Sequence, residues 1–348
     1  MEIMTRIICR APLRISYAGG GTDLEPFLSD HGGSVINSAI NQFAYATVEP
    51  WHSWYFVSQD LNEAKEYLLE PKDYDHGATR LLVNSFLFLK KKFNLPEKPV
   101  KITTTSDVSP GSGLGSSSAI TVSILSALIK YFQIKVSEYN LSEYSFYIER
   151  ELCNLPGGKQ DQYASVYGGL KKYNFNRDKT EIENMRISPD FKNTLNVSTV
   201  LYDVGSPRPD ANTIFTLSNN VITDNIKNLE KNKTSISETI KLKKNCELMK
   251  DAIQSKDIKK MGAIFNQNWQ IKKMISPTIT TDFLDEVYKV ALANGAMGGK
   301  ICGAGGGGHV IFLVDIDNRA RLIKKLNSLA GKVVPFVFHE KGAESWKM

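Results

Sequence analysis

Apolar positions recur at two periods along the chain, and the period changes with position. Short β-branched or aromatic runs, Ile7-Ile-Cys-Arg-Ala11, Val35 to Pro50, Trp54-Tyr-Phe-Val57 and Val100-Lys-Ile-Thr-Thr-Thr105, predict strands. Between them, residues 78–93 carry Leu81, Leu82, Phe86 and Leu89 at helical spacing, and Asn94-Leu-Pro96 is a stop signal. Residues 117–132 repeat that spacing with Ile120, Ile124, Ala127, Leu128 and Tyr131, opened by serines suited to capping. From about 215 to 293 the pattern is helical throughout, and the lysines and acids interleaved over 225–260 mark a solvated face. Thr281-Asp282 can cap a helix through Leu284, Val287, Tyr288 and Ala291 that Gly295 ends. A buried-strand pattern (His309 to Asp315), a helix (Asn318 to Leu329) and a last strand (Val333 to Phe338) follow, which makes the chain an α+β protein.

Its 348 residues exceed what one core usually organises, so two domains are expected. Strand-rich sequence gives way to helices near 180–195, which places the division between 1–190 and 191–348. The formal charge of +6 is spread along the chain with no arginine-rich block, so an anionic small substrate suits it as well as a nucleic acid does. Cys9, Cys153, Cys246 and Cys302 lie far apart, without the clustering of a zinc site or disulfide framework, and free thiols point to a reducing compartment. Without an apolar stretch of signal-peptide or membrane-spanning length, the expectation is a soluble, cytoplasmic protein.

Three segments are candidates for chemistry. Pro110-Gly-Ser-Gly-Leu-Gly-Ser-Ser-Ser118 sets Gly111, Gly113 and Gly115 on alternate positions ahead of a helix. Such a loop lets main-chain N–H groups approach an anion, and the helix dipole favours negative charge there. It lacks the Lys of a Walker A loop, and Ser116 stands where a dinucleotide fingerprint needs glycine. A plain capping turn has the same pattern. Arg10-Ala-Pro-Leu-Arg-Ile-Ser-Tyr-Ala-Gly-Gly-Gly-Thr-Asp23 ends a strand in glycines and an acid; Arg14 could pair with an anion and Asp23 with vicinal hydroxyls, or the segment is a tight turn with a surface ion pair. Glu149 and Asp161 flank the sharp Leu155-Pro-Gly-Gly158 turn, a pair able to divide metal binding from hydroxyl activation, although two exposed helix acids would look alike. Gly303-Ala-Gly-Gly-Gly-Gly308 is a further turn whose entropy cost calls for close backbone approach.

In order and content these segments resemble the GHMP kinase superfamily, to which galactokinase, homoserine kinase and mevalonate kinase belong. The resemblance covers nearly the whole chain and rests on Ala11 to Leu24, Pro110 to Ala119 and Ile301 to Val310. It implies a two-domain fold, with an N-terminal domain like domain 2 of ribosomal protein S5 and a ferredoxin-like C-terminal domain. It also implies ATP and Mg²⁺ as cofactors. On that resemblance Pro110, Gly111, Gly113, Leu114, Gly115, Ser116, Ser117 and Ser118 wrap the ATP phosphates, Glu149 and Ser117 hold the metal, and Asp161 is the catalytic aspartate. Arg14, Gly20, Gly21 and Asp23 of the first motif and Gly305 and Gly306 of the last would face the acceptor. The first motif and Gly157-Gly-Lys-Gln-Asp-Gln-Tyr163 look most like those of the D-glycero-D-manno-heptose 7-phosphate kinases, with fucokinases close behind. The implied partner is a small sugar phosphate, with no nucleic acid or membrane, in a monomer or homodimer. A distal phosphate needs cations, for which Arg208, in a segment resembling one of the heptose kinases, and Lys159, Arg80 and Arg14 are candidates. The alternatives are another GHMP acceptor or a non-catalytic sugar-binding relative.

Overall fold

The computed structural model describes residues 6–205 and 211–348. Strands β1 (Ile7–Ala18) and β2 (Gly33–Pro50) form the antiparallel centre of the first sheet. β3 (Trp54–Ser58), β4 (Glu63–Tyr67) and β5 (Val100–Ser106) extend it in the order β1-β2-β5-β3-β4, with β3 and β5 parallel. β2 is long enough to serve two neighbours. Its first half pairs with β6 (Leu170–Phe175), which pairs with β7 (Thr180–Asn184), and its second half pairs with β5. A second antiparallel sheet takes β8 (Thr199–Asp203), β9 (Ala296–Ile301), β10 (His309–Val314) and β11 (Lys332–Val334) in the order β11-β8-β10-β9. The last strand, β12 (Glu344–Lys347), leaves the second sheet and pairs with β1.

The helices are α1 (Phe27–His31), α2 (Arg80–Phe93), α3 (Ser116–Tyr131), α4 (Glu138–Tyr147), α5 (Gln160–Tyr167), α6 (Pro189–Ser198), α7 (Ala211–Lys231), α8 (Lys233–Gln254), α9 (Ile258–Ile275), α10 (Asp282–Ala293) and α11 (Ile316–Leu326). α3 and α5 pack on β1, as do α8 and α9, so Leu13, Ile15 and Tyr17 and also Ala18 are fully buried. Leu13 and Ile15 each contribute on the order of 1.5–3 kcal/mol by leaving water. One core joins β1, β2, α3, α8, α9 and β10, a second lies between the first sheet and α2 and α3, and a third between the second sheet and α10 and α11.

The pairing of β1 with β2 shifts register between Pro12 and Arg14 and again between Ser16 and Ala18. Such irregularities re-aim side chains. Arg14 and Ser16 lie between the two shifts, and both reach the cavity described below.

Several elements differ from what the pattern predicts. β1 runs on to Ala18, because helices cover both its faces and the residues after Ala11 are buried rather than alternating. The long helical stretch is four helices, broken where Asn232, Asp257 and Thr281 cap new starts with their side chains. α11 begins at Ile316, capped by Asp315, and stops at Leu326. The expected last strand shrinks to Lys332–Val334, since Pro335 has no N–H to give a ladder. β6, β7, β12 and α6 had no clear signal in the pattern.

Candidate active site

The phosphate-loop candidate joins β5 to α3 with Gly111, Gly113 and Gly115 all at positive φ, +77°, +75° and +79°. That conformation costs an ordinary residue energy, so the alternate spacing is a conformational requirement. Close approach adds a second one. A Cβ on Gly113 would stand 2.5 Å from the Cys302 carbonyl oxygen, and one on Gly308 would stand 2.5 Å from the carbonyl oxygen of Ser112. The His309 N–H donates to Ser112 O at 3.1 Å. The C-terminal glycine turn therefore holds the first loop from below.

Gly115 caps α3 without a side-chain hydrogen bond, which leaves the first N–H groups of a 16-residue helix free to serve an anion. Pro110, Gly111, Gly113, Gly115, Ser116, Ser117 and Ser118 line the cavity there. Leu114 points away into the core, while its carbonyl accepts the Arg14 N–H at 3.0 Å. Gly305 and Gly306 are not among the lining residues either. They pack against the 3₁₀ turn Pro277–Ile279, where the Gly306 N–H donates to Ile279 O at 2.8 Å.

Asp161 lies in the first turn of α5, 2.7 Å from Arg14 Nε and 2.6 Å from its Nη2. Arg14 is 3% exposed and also donates to the Gly113 carbonyl, so its guanidinium ties the aspartate to the glycine loop. The Asp161 side chain packs directly over Gly115, where a Cβ would be 3.2 Å from its Cγ.

Glu149 is fully buried on a wide π-type turn, Ile148–Leu152, that extends α4. One of its carboxylate oxygens accepts from Ser117 Oγ (2.9 Å), Ser118 Oγ (3.0 Å) and Arg150 Nη1 (3.4 Å), and the other from Gln162 Nε2 (2.9 Å). It is not a surface helix acid. Asp23, 2% exposed, accepts from the main-chain N–H and the side-chain amide of Gln160, both at 3.0 Å. Burial pushes its carboxyl above the usual range, with neighbouring Asp161 adding to the shift.

Two groups that the sequence did not single out share this cavity. Lys272 on α9 donates to the Gly303 carbonyl at 2.9 Å; burial and then Lys300 bring its ammonium down to about 7. Lys300 at the end of β9 donates to Ser16 O at 2.8 Å and is lowered to about 8, mainly by burial. Neither had a local signal, one sitting in a lysine-rich helix and the other in a short strand. Of the cations expected to face a distal phosphate, Arg80 lines the cavity, Lys159 pairs with Glu143 at 3.1 Å, and Arg208 lies outside the described residues.

Residues 80–169 match the GHMP kinases N terminal domain, and residues 249–332 match the GHMP kinases C terminal domain. The chain is 32% identical to a D-glycero-alpha-D-manno-heptose 7-phosphate kinase of Campylobacter jejuni, over 99% of its own length and 100% of that protein's. The chain is a GHMP kinase. A crystal structure of a D-glycero-D-manno-heptose 1-phosphate kinase from Bacteroides thetaiotaomicron superimposes on this GHMP kinase with a TM-score of 0.81 at 30% identity, covering 98% of this chain and 99% of that one. A galactokinase of Pyrococcus furiosus is 25% identical over 90% of each chain. As a member of that family, the GHMP kinase has the mixed two-domain fold of its neighbours and is an ATP-dependent sugar kinase. Among its described residues no helix is long and apolar enough to cross a membrane.

Proposed function

We propose that this GHMP kinase transfers the γ-phosphate of ATP to the anomeric C1 hydroxyl of D-glycero-D-manno-heptose 7-phosphate. The product is the 1,7-bisphosphate, which feeds the synthesis of nucleotide-activated heptose. The observation that carries the choice of acceptor is the full-length likeness to the Campylobacter jejuni heptose 7-phosphate kinase. The convergence of Asp161, Arg14, Asp23 and the glycine loop on one cavity supports the reaction.

In this reading the loop from Pro110 to Gly115 and the N-terminus of α3 hold the nucleotide phosphates through main-chain N–H groups, with Ser116 to Ser118 adding hydroxyls. Asp161 Oδ2 orients the C1 hydroxyl and receives its proton, while Arg14 holds the other carboxylate oxygen. Asp23, held by Gln160, faces the sugar hydroxyls.

The Glu149 carboxylate and the Ser117 hydroxyl are oxygen donors that suit a hard cation, and they already lie 2.9 Å apart. They would hold Mg²⁺, which supplies charge neutralisation on the phosphates. Positioning and charge placement account for most of the acceleration such a site can give.

An ADP-release assay over heptose 7-phosphate, heptose, L-fucose and galactose, followed by NMR of the product, tests the reading. Preferred turnover of heptose 7-phosphate with new phosphorus coupling at C1 is expected. Preferred turnover of an unphosphorylated sugar, or attachment at another carbon, overturns it.

A further inference from the structure

Lys272 and Lys300 are 7% and 2% exposed, and among the described residues neither ammonium pairs with a carboxylate. Each makes a hydrogen bond to one main-chain carbonyl, which leaves two of its three N–H donors unspent. Burying an unpaired charge costs several kcal/mol, and burying two side by side costs more, unless an anion joins them. Ser16 adds a second, independent sign. Among the described residues its buried hydroxyl has no partner, although its own carbonyl accepts from Lys300.

These groups face one space. A Cβ built on Gly20 would stand 3.4 Å from Ser16 Oγ and 3.9 Å from both Lys272 Nζ and Gln160 Nε2. All of these residues, and Lys300 with them, line the cavity that holds Asp161 and the glycine loop.

We propose that Lys272, Lys300 and Ser16 form the subsite for the acceptor's own phosphate, the end of the sugar remote from the hydroxyl that is phosphorylated. The inference rests on the proposed function in taking a sugar phosphate as acceptor, and it names what recognises that phosphate. Two ammonium groups balance a phosphate dianion. Arg14 is not available for the task, because its guanidinium is spent on Asp161 and Gly113. Spacing agrees as well. Arg14 and Ser16 are two residues apart on a regular stretch of β1, so their Cα atoms lie about 7 Å apart and both side chains leave the same face of the strand. Gly20 borders that space, and a side chain there would stand in contact with Ser16 Oγ and Lys272 Nζ.

The test compares the full-length wild-type enzyme with Lys272→Met, Lys300→Met and Ser16→Ala. KM is measured separately for ATP and for heptose 7-phosphate, and inorganic phosphate binding is measured by calorimetry. Each methionine variant should raise the KM for heptose 7-phosphate about 10- to 100-fold and weaken inorganic phosphate comparably, with the KM for ATP unchanged. Ser16→Ala, which adds no bulk, should raise the acceptor KM about 3- to 10-fold and keeps the test decisive should a methionine variant fail to fold. Unchanged acceptor KM and phosphate binding in the alanine variant and any folded methionine variant would overturn the subsite. So would a rise confined to the KM for ATP. Should wild type not turn over heptose 7-phosphate, the proposed acceptor falls; loss of inorganic phosphate binding in the variants would still support the subsite, and its retention would overturn it.

Discussion

In the proposed mechanism Asp161 faces two demands, to be held still and to meet the acceptor hydroxyl. Arg14 meets the first by binding one carboxylate oxygen and anchoring it to Gly113. Asp161→Asn keeps the shape and removes the proton acceptor, so kcat should fall on the order of 10²- to 10⁴-fold, and the melting temperature should fall as well, because the buried Arg14 guanidinium loses its carboxylate partner. A near-normal kcat would remove Asp161 from that role. The buried lysines give a second prediction, in stability. Lys272 and Lys300 titrate near 7 and near 8 in the fold, against an ordinary 10.5. Between those values the unfolded chain binds more protons, so stability of the ligand-free enzyme rises with pH across that window. Each lysine contributes at most about 1.4 kcal/mol per pH unit. Besides burial, Lys300, Cys302, Arg14 and Asp23 act on Lys272, and Cys302, Arg14 and Cys246 act on Lys300. Urea unfolding of wild type and Lys272→Met at pH 7, 8 and 9 should show a shallower rise in the variant; parallel curves would contradict the buried titration. The carboxylates were legible in sequence because glycine turns set them off. The lysines were not, because an amine becomes unusual through what surrounds it, and those surroundings come from residues far away in the chain.

At the scale of elements, the glycine segments act as contact surfaces more than as hinges. Gly158 shows this most clearly, since a Cβ there would lie 2.0 Å from Asp23 Oδ2. Gly158→Ala must push Asp23 off Gln160, and sugar KM should rise about tenfold while ATP KM holds, as expected when one charge-assisted hydrogen bond is lost. Equal loss for both substrates would mean that the turn had collapsed more widely. The glycine turn from Pro110 to Gly115 ahead of a helix was readable from local spacing, whereas its contacts with the Cys302 carbonyl and with Gly308 were not. Those contacts join β5 and α3 to the strands that flank the last glycine turn, almost two hundred residues later. Glu149 was visible as an acid late in a helical pattern. The π-type turn that swings it inward onto Ser117 and Ser118 left no sequence mark that separates it from another helical turn.

For the whole molecule, the strand pattern located four of the eight strands of the first sheet, β1, β2, β3 and β5, but not its closure. β12 pairs with β1 from Ile7 to Arg10, and Glu344 meets Arg10 at 2.7 Å. Deleting residues 344–348 uncovers that edge of β1, so the melting temperature should drop and aggregation rise in light scattering, with an unchanged melt arguing that β12 adds nothing. The same pairing has a consequence for synthesis on the ribosome. β1 leaves the exit tunnel long before β12, so the strand that covers its outer edge is made after both sheets have otherwise been supplied. For some three hundred residues of translation that edge stays open, and a chaperone that shields extended chain would find its natural target there.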